Sequence, residues 1–141
     1  MPNDLWLRAI SDLHTFWSRV SGGWIGGRFG RAPILLLTTT GRKTGRQRTT
    51  PLLYYQDGDD LVVIASKGGD PKHPTWYLNL KAQPTVEVQV GRDVTKVTAR
   101  TATAEERARL WPLVTKMYPQ YESYQRRTRR EIPVVVLKPS G

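Results

Sequence analysis

The chain has 141 residues, the length of one ordinary domain, with 38% apolar residues and 22 Lys plus Arg against 12 Asp plus Glu, a net charge of +10. With no cysteine there is no disulfide framework, thiolate nucleophile or zinc–cysteine site, and the two histidines, His14 and His73, stand in no metal-ligand spacing. No apolar run approaches the roughly 20 residues that a spanning helix needs, and the charge excess favours a polyanionic partner without choosing among nucleic acid, anionic lipid and a phosphorylated or carboxylated small molecule.

Asp4 sits where a signal peptide carries positive charge, and Arg8, Ser11, Asp12 and His14 interrupt the apolar positions, so a cytoplasmic protein is expected. From Asp4 to about Val20, the residues Trp6, Ile10, Leu13, Trp17 and Val20 recur at helical spacing and predict an amphipathic helix. GGWIGGRFGR follows; its five glycines read as a linker, so residues 1–30 form a helix and linker ahead of a domain at 31–141. ILLLTTT from Ile34 predicts a buried strand, and TTPLLYY its partner, with Pro51 at an edge or bulge because proline cannot donate to a ladder. Asp57-Gly58 marks a hairpin turn before the strand LVVIAS. KGGDPKHP reads as a loop, and TWYLNLKA after Pro74 as a short helix. TVEVQV alternates, with Val86, Val88 and Val90 on one face, and VTKVTART is the next strand. Thr103 and Glu106 have capping-box spacing, so ERARLWPLVTKMY is helical with Pro112 as a kink or restart, and IPVVVLK is a last strand. About six strands and three helical pieces with short connections argue for a mainly β, antiparallel α+β fold or small barrel.

Three stretches can carry chemistry. TTTGRKTGRQRTTP, Thr38 to Pro51, packs Arg42, Lys43, Arg46 and Arg48 into seven positions of a turn with no carboxylate; glycines let backbone N–H groups approach an anion there, although charge runs are most often solvated loops. It lacks the GxxxxGK[ST] pattern of an ATP-binding loop. ASKGGDPKHPTWYLN brings a hydroxyl, Ser66, and a cation, Lys67, to a strand end beside a helix start, while Trp76 by itself reads as core. Tyr118, Tyr121 and Tyr124, at spacing three, face roughly one way on a helix or 3₁₀ turn, and burying three phenols without partners is costly, so some should meet solvent or a ligand. No Ser-His-Asp arrangement or acid pair is present, so an enzyme of this sequence takes its chemistry from a cofactor.

TTTGRKTGRQRTTPL, ASKGGDPKHPTWYLNLKAQPTVEVQVG, the TAEER helix start and MYPQYESYQ followed by IPVVVLKP together resemble the deazaflavin-dependent nitroreductase family, split β-barrel enzymes of actinobacteria that use coenzyme F420, over about Ile34 to Pro139. The family's coenzyme carries a phosphodiester and an oligoglutamate tail, and the resemblance implies that Arg42, Lys43, Thr44 and Arg48 hold that anionic region. It implies further that Thr49, Thr50, Pro51, Leu52 and Leu53 line the deazaflavin, that Ile64, Ala65, Ser66 and Lys67 with Thr75, Trp76, Tyr77, Leu78 and Asn79 complete the ring pocket, and that Tyr118, Tyr121 and Tyr124 close the substrate side with Ser66. The implied reaction is hydride transfer from reduced F420 to a quinone, enone or nitroaromatic. The family pattern has an aromatic where Leu53 stands; here the aromatic is Tyr54, on the opposite strand face. Two other readings stand beside this one: an FMN-binding split-barrel oxidoreductase, and a basic nucleic-acid-binding barrel that would use QRRTRR, residues 125–130, as well. The helix and WIGGRFGR could equally pack on the barrel or rest peripherally on an anionic membrane where quinones dissolve.

Overall fold

The computed structural model describes residues 28–29 and 32–140. The expected N-terminal helix and most of the glycine-rich linker lie outside the described residues.

Strands β1 (Arg28–Phe29), β2 (Ala32–Thr40), β3 (Gln47–Leu53), β4 (Tyr55–Asp57), β5 (Asp60–Ile64), β6 (Thr85–Val90), β7 (Asp93–Thr101) and β8 (Val134–Pro139) form one antiparallel sheet in the order β1-β2-β6-β7-β8-β5-β4, with β3 on the other edge of β2. Helices α1 (Thr75–Ala82), α2 (Ala104–Met117) and α3 (Gln120–Arg127) and a 3₁₀ turn (Lys67–Gly69) complete the described chain. The sheet is mainly β and curled, as the sequence predicts, with two more strands than the six expected. One is β1, in the segment read as linker, where Arg28 pairs Pro33 and Phe29 pairs Ala32. The other arises because TTPLLYY is not one strand. It breaks at Tyr54, whose N–H still donates to Pro33 O at 3.2 Å, and resumes as β4 on β5. β3 and β4 are the two ends of the curled sheet, so this one residue bridges its seam. The Tyr118 hydroxyl donates to Tyr54 O at 2.8 Å and fixes the crossing.

Leu36, Leu37 and Thr38 pair both with Pro51, Thr50 and Thr49 of β3 and with Gln89, Val88 and Glu87 of β6, which makes β3 an edge strand and places Pro51 where proline is tolerated. Two apolar clusters flank the sheet. Leu35, Leu37, Val63, Val86, Val88, Val97, Val135 and Leu137 bury against Trp76, Tyr77 and Leu80 of α1. Val62, Ile64, Val134 and Val136 turn the other way, onto Leu110 and Val114 of α2 with Tyr118, Tyr121 and Ile132. β5 and β8 are covered on both faces, which is why their sequences are continuous apolar runs while β6 alternates.

α2 begins at the expected capping box: Thr103 Oγ1 accepts from Glu106 N at 3.2 Å and Glu106 Oε1 accepts from Thr103 N at 3.0 Å. Pro112 lies inside this helix without ending it. Arg100 on β7 grips the same carboxylate with both guanidinium nitrogens, Nη2 to Oε2 at 2.7 Å, tying helix to sheet. That hydrogen bond and the Thr103 backbone hold the Glu106 pKa down at about 2, against 4.5. A carboxylate with a depressed folded pKa contributes stability above its unfolded value and loses it as pH falls through the folded one. Stability should therefore fall on acidification from pH 4.5 toward about 2, and Glu106→Gln should flatten this limb, leaving the smaller part due to Asp57, whose pKa Arg109 lowers; thermal denaturation across that range reads it. Thr103→Ala should cost about 1 kcal/mol at neutral pH.

Candidate functional site

Two depressions adjoin each other along β3 and the first turns of α1. The smaller, about 150 Å³, is lined by Gly41, Arg42, Lys43, Thr44 and Arg48 from the basic turn and by Thr75 and Asn79 from α1. The larger, about 410 Å³, is a cleft between Pro51, Leu52 and Leu53 of β3, Ile64, Ser66, Lys67 and Gly68 at the end of β5, Pro74 and Trp76 at the start of α1, and Gln120, Tyr121 and Tyr124 of α3. It is of the size that holds small ligands and cofactors.

The basic turn is held by its own backbone hydrogen bonds. Gly41 N donates to Arg46 O at 2.7 Å and Gly45 N to Gly41 O at 2.8 Å. A Cβ at Gly41 would stand 2.7 Å from Thr44 Oγ1 and 3.1 Å from Arg46 O, so a larger residue there would displace the hydroxyl that accepts from Arg46 N. Arg42 N donates to Asn79 Oδ1 at 3.1 Å, and Asn79 Nδ2 donates to Thr39 Oγ1 at 3.3 Å, so one buried amide docks the turn on α1 and β2. Arg42, Lys43, Arg46 and Arg48 are exposed, and among the described residues none is in a salt bridge. Four unneutralised cations on an ordered turn repel one another, and an anion relieves that repulsion.

The cleft is mostly apolar and aromatic. Tyr121 is edge-to-face with Tyr118 at 5.9 Å and with Tyr124 at 6.0 Å, and the Arg127 guanidinium lies 5.8 Å from the Tyr124 ring centre. Burial, then the neighbouring Tyr118 and Tyr124, raises the Tyr121 pKa, so its phenol stays protonated and can donate. The Ser66 side chain is buried at the cleft wall and makes no hydrogen bond among the described residues. Lys67, Gly68 and Gly69 have φ of 47°, 63° and 84°, three successive left-handed residues of which one carries a side chain. Read from sequence as plain loop, this segment is the 3₁₀ turn that forms one cleft wall.

The residues singled out from sequence divide between the two sites. Arg42, Lys43, Thr44, Arg48, Thr75 and Asn79 gather at the basic pocket; Pro51, Leu52, Leu53, Ile64, Ser66, Lys67, Trp76, Tyr121 and Tyr124 gather at the cleft. Thr75 and Asn79 are thus beside the cations, not beside the cleft with Trp76. Thr49, Thr50, Ala65, Tyr77, Leu78 and Tyr118 line neither. Thr49 bonds Thr38 across β2 and β3 at 2.9 Å, and the Tyr77 hydroxyl bonds Thr101 at 2.8 Å. Ala65 is fully buried, and Tyr118 packs as described above. The lining residues Gly41, Gly68, Pro74 and Gln120 are additions that turn chemistry and the YPQYESY run could have suggested. Among the described residues no helix is long and apolar enough to cross a membrane.

Residues 10–139 match the sequence profile described as F420H(2)-dependent quinone reductase. An F420H(2)-dependent quinone reductase of Mycobacterium tuberculosis is 50% identical over 129 residues, which cover 89% of this chain and 87% of that protein. The solved structure of an F420-H2 dependent reductase, FDR-A, superposes with a TM-score of 0.69 at 48% identity, covering 75% of this chain and 94% of that one. A structure described as a domain-swapped dimer has a TM-score of 0.70 at 41% identity, covering 98% and 100%.

The cleft wall tests the local geometry directly. A Cβ at Gly69 would lie 2.6 Å from Tyr124 O and 2.9 Å from Arg127 Cβ, and φ there is 84°. Gly69→Ala should therefore push the turn off α3 and destabilise the protein by roughly 1–3 kcal/mol, read by chemical denaturation.

Proposed function

The chain belongs to the F420H(2)-dependent quinone reductase family, and from that premise we propose that its basic pocket grips the anionic end of reduced coenzyme F420 while the adjoining cleft aligns the deazaflavin with a quinone. The enzyme is an F420-dependent oxidoreductase, and reduced F420 is its hydride donor. The observation that carries the site assignment is the contiguity, on one strand and one helix start, of cations that make no salt bridge among the described residues and a cleft walled by aliphatic and aromatic side chains.

The residues present fit the coenzyme. Arg42, Lys43 and Arg48, with the docked turn behind them, suit a phosphodiester and carboxylate tail, and Pro51, Leu53, Ile64 and Trp76 suit a flat ring. When bound, the coenzyme supplies a hydride at C5 of its ring. The protein's share is alignment, exclusion of water, and stabilisation of the charge that develops on the acceptor oxygen. Ser66 and the phenols of Tyr121 and Tyr124 are the hydroxyl donors at the cleft for that oxygen; Tyr118 supports them by anchoring Tyr54. Enones and nitroaromatics also present an electrophilic π-system ending in oxygen, so the same donors serve them. The segment before Arg28 is the part of this reading that brings the enzyme to an anionic membrane surface. Deleting residues 1–30 should reduce co-sedimentation with anionic liposomes, and unchanged binding removes the membrane contact.

FMN carries one phosphate and no polyanionic tail, so an FMN enzyme would leave much of the basic turn unused. Titrating the protein with reduced F420 and with FMN in parallel, by ligand fluorescence, should give tighter binding of F420. Charge reversal at Lys43 and Arg48 together should weaken it by about a hundredfold, near 3 kcal/mol, with little change in melting temperature because both side chains are exposed. Unchanged affinity would sink the assignment. Ser66→Ala and Tyr124→Phe should each lower kcat with a menaquinone analogue by about tenfold. Oligonucleotide binding tighter than coenzyme binding, with a steep salt dependence, would instead favour a nucleic-acid module.

A further inference from the structure

The second basic run, QRRTRR, takes no part in the coenzyme site, yet its last residue is not a surface cation. Arg130 is half-buried and directs its guanidinium into the turn that walls the cleft. Nε donates to Asp70 O at 2.8 Å, Nη2 to Ser66 O at 2.7 Å, and Nη1 to Ala65 O at 3.2 Å. Nη1 also lies 3.2 Å from His73 Nδ1; a guanidinium has no acceptor, so Nδ1 accepts and the imidazole is neutral.

The strand pairing explains why an arginine is needed there. The β5–β8 ladder ends at Ile64 and Val134, and one step further Ala65 N donates to Pro133 O at 3.0 Å. An antiparallel pair of this kind exchanges two hydrogen bonds, and the return bond would come from the N–H of residue 133. Proline has none. Arg130 Nη1 occupies the place of that donor on Ala65 O, and the same planar fork continues to Ser66 O, where the missing strand would have ended. Beyond Ser66 the chain enters the left-handed run at Lys67, a conformation that persists for a non-glycine residue only where its surroundings determine it. Gly69 is wedged against α3 on one side and Arg130 holds the carbonyls on the other.

We propose that Arg130 is a positioning residue for the cleft. It replaces on Ala65 O the one hydrogen bond that Pro133 cannot make and, through Ser66 O and Asp70 O, sets the Ser66–Asp70 turn before ligand binding, so that Ser66, Lys67 and Gly68 already line the wall that the coenzyme meets. This rests on the reading of the cleft as the coenzyme and acceptor site. A lysine at 130 delivers one point of charge where three backbone carbonyls need a fork, so it does not substitute.

The test compares full-length Arg130→Lys and Arg130→Gln with the parent, and with Arg129→Gln as a control in the same run. Amide hydrogen exchange in the coenzyme-free protein should be at least about tenfold faster at Gly69 and Asp70, whose N–H groups bond Ser66 O and Lys67 O, in both Arg130 variants and unchanged in the control. Reduced F420 should bind about tenfold more weakly, because the turn must now be ordered at the moment of binding, while kcat at saturation changes less than threefold. A purely structural lesion would instead lower the melting temperature and raise exchange throughout β5 and β8. Parent-like exchange and affinity in Arg130→Lys would overturn the proposal, and that variant decides the matter should Arg130→Gln fail to fold. If the parent itself does not bind F420, the functional reading fails, and the exchange contrast still settles whether Arg130 holds the turn.

Discussion

The constraint on which this molecule turns is the point where its curled sheet runs out of strands. β3 and β4 are the two ends of the sheet and are successive in the chain, separated by Tyr54. Between β3 and the end of β5 there is no ladder to satisfy the backbone, and buried peptide groups left unpaired cost more than a hydrogen bond returns. Side chains supply the missing partners. The Tyr118 phenol bonds Tyr54 O, Arg130 bonds the carbonyls of Ala65 and Ser66, and α3 closes over the Ser66–Gly69 turn. The cleft is the volume that this arrangement leaves. A barrel closed by continuous pairing would have filled it with side chains.

The same seam separates two kinds of physics that would interfere if superimposed. Charges act over long range and tolerate water, and the cations of residues 42–48 lie exposed at the rim; in the proposed function they would hold the coenzyme by an anionic part remote from the reacting ring. Hydride delivery gains from a site with little water, where hydroxyl donors are worth more. α1 serves both. Asn79 orients the basic turn through Arg42 N, and three residues earlier Trp76 packs at the cleft. A shift of α1 would therefore move the anchor and the wall together, which keeps the distance between them fixed. The covalent link of Arg48 to Pro51 along β3 does the same from the other side.

Much of the fold is legible in the sequence because its signals are local. The alternation of TVEVQV, the Asp57-Gly58 turn, Pro74 before α1 and the Thr103–Glu106 box each act over a few residues, and each appears where its chemistry requires. What the sequence hides is what depends on partners far along the chain. TTPLLYY reads as one strand because nothing within it announces that β3 and β4 pair with different strands; the break at Tyr54 is set by Pro33 and by Tyr118, 64 residues away. The resemblance assigns Asn79 to the ring pocket, but nothing local in the sequence announces that its amide accepts from Arg42 N and donates to Thr39, partners 37 and 40 residues away. Arg130 sits among five polar or basic residues that give no hint of burial. Its role follows from Pro133, a residue read only as a strand start.

The exchange of an aromatic for Leu53 acquires a definite meaning from this geometry. Tyr54 is adjacent in sequence but cannot serve as a displaced cleft wall, because its side chain packs in the core that includes Leu35 and Trp76 while Leu53 faces the other cluster and the cleft. Its backbone is held from both directions, by Pro33 O on its N–H and by Tyr118 on its carbonyl, so a rotation that presented the ring to the cleft would break both bonds. The β3 wall is therefore aliphatic, formed by Pro51, Leu52 and Leu53. The aromatic contacts available to an acceptor come from Trp76 at the start of α1 and from Tyr121 and Tyr124 on α3. Of the two tyrosines, Tyr121 is fixed by rings on both sides, whereas Tyr124 is half-buried and has Arg127 beyond it. In the proposed function, discrimination among flat acceptors would therefore fall to the outer end of α3 and not to the strand edge.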